Sequence, residues 1–149
     1  MPTHFVKRRE LSSARRRVAR LALTVAAFVG FLMLSAFPMD AWVLASPGEE
    51  QIAFAVMLVV VVASIWAHVA LARRRPYGQT LALVLGAYAL VMIVRRAIEV
   101  ARLPAWHSDS VLVGSLVVSG VMLVALLVAA LVCVPVPRSG ERDSAAPAV

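Results

Sequence analysis

Asparagine is absent from this chain, and lysine and cysteine occur once each. A lone cysteine, Cys133, excludes an intrachain disulfide and any thiol exchange that needs two sulfurs in one chain. Charge is missing over long stretches. No Asp, Glu, Lys or Arg occurs from Leu21 to Met39, from Gln51 to Ala72, from Pro76 to Val94 or from Ser110 to Pro137. A helix needs about 20 mostly apolar residues to cross a hydrocarbon core. All four runs approach or exceed that length, and a soluble domain of 149 residues has no room to bury them all. The expected fold is therefore all-α: an integral membrane bundle of four transmembrane helices, with spans at 21–37, 51–72, 77–97 and 110–134. A basic segment, 1–20, precedes the bundle. A disordered tail, 135–149, rich in Pro, Ser and Ala, follows it.

Other absences narrow the chemistry. No carboxylate lies inside any run, whereas a proton-coupled exporter places one near the midplane. Small multidrug transporters share this span count, but their first-span Glu has no counterpart between Leu21 and Phe37. The chain has no H-E-x-x-H pair, no Ser-His-Asp arrangement, no phosphate loop and no Gly-rich nucleotide fingerprint. A non-enzymatic protein without cofactor or metal is expected.

What the chain does have is 62% hydrophobic residues, a net charge of +7, and arginine as almost its only cation. With abundant Ala and Val, that usage suggests a GC-rich bacterial genome. A basic balance can signal nucleic acid, but here the cations flank apolar runs, where they fix topology instead. Counting them gives the orientation. Lys7, Arg8, Arg9, Arg15, Arg16, Arg17 and Arg20 precede the first run, Arg73, Arg74 and Arg75 follow the second, and Arg138 and Arg142 follow the fourth. The two remaining connections hold only Arg95, Arg96 and Arg102. The positive-inside rule then puts both termini in the cytoplasm, N-in/C-in. The basic start and apolar first run also fit a signal peptide, and Arg8-Arg9 a twin-arginine signal. The residues after that pair match poorly, and no small-x-small cleavage site ends the run.

Leu11, Ala14, Val18, Leu21 and Val25 recur at helical spacing, so the first helix is expected to begin before the membrane with arginines covering its polar face, as a plain cytoplasmic start signal or, alternatively, a segment lying against anionic headgroups. The fourth run is the most apolar. Its 15 Leu and Val residues between 110 and 134 favour insertion by about 5 to 9 kcal/mol. Trp42 is placed as an interfacial anchor in the first loop, and Ser108 or Asp109 as N-cap of the last helix.

The strongest candidate site is Arg95-Arg96-x-x-Glu99-x-x-Arg102, at the end of the third run. At 100° per residue, Arg95, Glu99 and Arg102 share a narrow helical face and Arg96 flanks it. Glu99 is in reach of Arg95 at i−4 and Arg102 at i+3. Two arginines at the bilayer centre cost about 5 to 7 kcal/mol, whereas the eight Leu, Ile and Val residues from 81 to 94 return about 2.5 to 5. The cluster is thus expected at the outer interface, either as snorkelling anchors or as an outer-face polar site for an anion, a lipid headgroup or a partner.

His68 is the candidate intramembrane polar residue, about one turn from Arg73, with structural, proton-relay and metal roles all open to it. A bis-His haem within one chain is disfavoured, because His107 belongs to the opposite side of a ~30 Å core. Asp40, Glu49, Glu50, His107 and Asp109 share the outer side, at spacings that match no metal motif. Small residues recur four apart at Ala26 and Gly30, Ala63 and Ala67, Ala82 and Gly86, and Ser115 and Ser119, a spacing that lets helices approach closely.

The leading expectation is a small accessory or interaction subunit of the inner (cytoplasmic) membrane, multi-pass. Its partners would be the lipid bilayer and another membrane protein or a second copy, with no nucleic acid. The alternative is a small transporter or channel for an anion or lipid, working through the outer arginine cluster.

Overall fold

The computed structural model describes residues 11–36, 50–102 and 110–135. The basic residues before Leu11, the acids Asp40, Glu49 and Asp109, the anchor Trp42, the cap Ser108, His107 and the tail after Pro135 lie outside the described residues. Each charge-free run forms one helix: α1 at Ser13–Ala36, α2 at Glu50–Ala72, α3 at Tyr77–Arg102 and α4 at Ser110–Cys133. No strand occurs among the described residues. Among the described residues, four helices are long and apolar enough to cross a membrane, which points to a multi-pass membrane protein.

α1 and α3 each pack against both α2 and α4, so the helices form a ring in which α4 closes back onto α1. Contacts near the helix ends fix the directions. His68, late in α2, lies against Arg20, early in α1. The Arg15 guanidinium donates to the carbonyl oxygen of Val134, just past α4, at 2.8 Å. Successive helices therefore run antiparallel. The start of α1, the α2–α3 turn and the end of α4 share one end of the bundle.

The side-chain distribution is inverted relative to a soluble protein. The interior is built largely from small residues, with Ala19, Ala26, Ala67, Ala82, Ala89 and Ala129 all essentially fully buried, and Leu23, Met33, Met122 and Leu126 filling the space between them. Phe28, Phe31, Val59, Trp66, Val91 and Leu131 point outward and are each at least 60% exposed. In water such continuous apolar faces would drive aggregation. In lipid they cost nothing, and small interior residues become the means by which helices approach and gain dispersion contacts.

Two glycines show how close that approach is. A Cβ added at Gly86 of α3 would overlap the Ala130 Cβ of α4. At Gly30 of α1 it would lie 2.6 Å from Val61 Cγ2 of α2 and 3.3 Å from the Met122 sulfur of α4. Both glycines belong to the small pairs spaced four apart. Their partners Ala26 and Ala82 are buried too.

Two buried hydroxyls, those of Ser64 and Ser119, are turned back onto the backbone. Ser64 Oγ donates to the Val60 carbonyl oxygen at 2.7 Å, and Ser119 Oγ to that of Leu116 at 3.1 Å. An unpaired hydroxyl in hydrocarbon is costly, and a carbonyl of the same helix, three or four residues back, is the nearest acceptor.

Candidate functional site

The two ends of the bundle carry its described charge, and they are built differently. α3 is the longest helix, at 26 residues, or about 39 Å. Its charge-free part up to Val94 spans about 27 Å, close to one hydrocarbon core. The cluster therefore occupies the part of α3 that continues past that length.

Glu99 holds the cluster together. Arg95 Nε donates to Glu99 Oε1 at 2.8 Å, and Arg96 Nη1 forms a looser pair with Oε2 at 3.5 Å. The carboxylate thus gives one oxygen to each arginine. Of the two partners expected for Glu99, Arg95 is present, and Arg96 rather than Arg102 takes the second oxygen. Solvation separates those two. Arg96 and Glu99 are each only 16% exposed, so their attraction is weakly screened, whereas Arg102 is exposed in the last turn. There its charge lies beside the free carbonyl end of the helix. Arg95 is 56% exposed despite its short contact. This end is therefore a partly neutralised cluster, with one carboxylate shared by two guanidinium groups and a third at the rim.

At the α2–α3 end, His68 is half-buried between α1 and α2. Its Nδ1 lies 3.1 Å from the Arg20 carbonyl oxygen and 3.1 Å from Thr24 Oγ1. A carbonyl only accepts, so these contacts form a hydrogen-bonded node when Nδ1 carries the proton. Thr24 Oγ1 in turn donates to the same Arg20 carbonyl at 3.0 Å. The node ties α1 to α2, using a carbonyl that has a second lone pair to spare. Thr24 is the member that sequence reasoning missed, because a threonine inside an apolar run carries no signal of its own. The described residues contain no group of three or more His, Cys, Asp or Glu side chains that could hold a metal ion.

Two caps shape this end. Ser12 begins α1: its carbonyl accepts from Arg16 N at 3.0 Å, and its Oγ faces Arg15 N at 3.4 Å. α2 ends in a Schellman turn, with Arg75 N donating to Ala70 O at 2.8 Å and Arg74 N to Leu71 O at 3.2 Å. That turn needs a left-handed residue at its apex, and Arg74 occupies it with φ 56°. The sequence signal was present in Pro76, which commonly follows such a turn.

No family model matches the chain, and no curated protein or solved structure matches it either.

Proposed function

We propose that the chain inserts into the inner (cytoplasmic) membrane as a four-helix bundle with both termini in the cytoplasm. There it serves as a non-enzymatic accessory subunit, packing against another membrane protein or a second copy of itself. The reading is carried by the character of the interior. Small apolar side chains close the helices onto one another, and the hydroxyls of Ser64 and Ser119 are spent on their own helices. Such an interior contributes packing rather than a polar path for a solute. The orientation is supported by the cation count on the two sides, and membrane insertion by the apolar outer faces of all four helices.

The test has two arms. Solubilised from native membranes in mild detergent, the full chain is expected to elute with a stoichiometric membrane partner or as a defined oligomer. Reconstituted alone in liposomes, it is expected to give no chloride or phosphate flux above empty vesicles. A monomer that carries flux would overturn the accessory reading in favour of a transporter using the Arg95–Arg102 cluster.

A further inference from the structure

The two charged ends differ in how far the protein satisfies its own arginines. At the α3 end, Glu99 binds two of them. At the α2–α3 turn, the described residues include Arg15, Arg16, Arg17, Arg20, Arg73, Arg74 and Arg75, and no carboxylate. Arg15 and Arg16 donate to carbonyl oxygens, of Val134 and Leu11. The side chains of Arg17, Arg20, Arg73, Arg74 and Arg75 make no hydrogen bond or ion pair among the described residues. Arg20 Nε is buried with no partner there.

The His68 node places these five together. On α1, Arg16, Arg17, Arg20 and Thr24 fall within an arc of about 100°, and Arg20 and Thr24 are the residues that meet α2 at His68. Arg17 therefore shares the α2-facing arc. His68 is level with Arg20. Five residues on, Arg73 lies about 7.5 Å further toward the end, level with Arg15 on the antiparallel neighbour and within one turn of Arg16 and Arg17. The Arg73–Arg75 turn and the arginine arc of α1 thus border one rim.

Arg74 gives a second, independent indication. Its φ of 56° is a conformation that glycine adopts freely and an L-residue adopts at a cost. Three consecutive arginines across a glycine-favouring apex put charge where backbone geometry alone disfavours it. Strain of that kind collects at binding sites.

We propose that this rim, between the Arg17–Arg20 arc of α1 and the Arg73–Arg75 turn, seats the phosphodiester headgroup of an anionic phospholipid. Guanidinium forks match phosphate oxygens bidentately, and a headgroup supplies the negative charge that the described part of this end lacks. The seat rests on the membrane reading above. Successful incorporation into nanodiscs tests that reading separately.

The experiment uses the full chain in nanodiscs of equimolar phosphatidylglycerol and phosphatidylcholine. The protein is then released into mild detergent, and retained lipids are counted by native mass spectrometry. Phosphatidylglycerol should be retained in preference. Each removed arginine should lower its retention about five-fold, the equivalent of about 1 kcal/mol per surface cation. Arg17→Ala and Arg73→Ala should both show this, while Arg102→Ala at the other end leaves retention unchanged. Arg74→Gly is the sharpest variant: it relieves the backbone, so its melting temperature should rise while retention falls. Equal retention of the two lipids overturns the proposal, as does the same loss in Arg102→Ala. Displacement of retained lipid by millimolar inorganic phosphate would also overturn it, by assigning the rim to a free anion.

Discussion

Gly86 of α3 faces Ala130 of α4 so closely that one added methyl group would overlap the alanine side chain. Neither residue has a flexible side chain that can move aside, so any added volume must separate the two helices. Gly86→Ala gains up to about 1 kcal/mol in helix propensity, but overpacking a closed seam costs about 1 to 3 kcal/mol. Net destabilisation is expected in detergent unfolding. Adding Ala130→Gly to that background should restore most of the loss. A stabilising Gly86→Ala would show that the seam is looser than it looks.

The α1–α2 joint depends on Thr24 and His68 acting together. Interhelical hydrogen bonds in membrane proteins contribute about 0.6 kcal/mol on average. Thr24→Val and His68→Phe should each destabilise the bundle, and the double variant should lose less than the sum by roughly that amount. Strict additivity in unfolding measurements would mean that the two side chains do not interact.

Glu99 should be structural before it is functional. Its contact with the half-exposed Arg95 is a partly solvated pair, for which coupling of about 0.2 to 1 kcal/mol is the expected range. A Glu99→Gln and Arg95→Ala cycle should return a value in that range, and a cycle with Arg102→Ala a value near zero. Appreciable coupling to Arg102 would contradict the observed division of the carboxylate between Arg95 and Arg96.

The helices were legible in the sequence because lack of charge over about 20 residues is a signal that needs no tertiary information. The small pairs were legible for the same reason: a spacing of four on a helix is local. What could not be read was which groups meet across helices. Thr24 gains meaning only when α2 delivers His68 to it. The second oxygen of Glu99 goes to Arg96 because that side of α3 is poorly solvated, and a helical wheel of α3 alone carries no burial. The left-handed Arg74 was hidden because an arginine apex replaces the glycine that normally marks such a turn.

The proposed orientation places the two arginine-bearing ends on opposite sides of a membrane, with the α2–α3 turn in the cytoplasm. Single cysteines at Arg73→Cys and Arg102→Cys, each in a Cys133→Ser background, test it with an impermeant maleimide added to intact cells. Arg102→Cys should label from outside, and Arg73→Cys only after the membrane is opened. Labelling of Arg73→Cys in intact cells, with Arg102→Cys protected until permeabilisation, would reverse the orientation. Equal labelling of both without permeabilisation would contradict the membrane-spanning bundle itself.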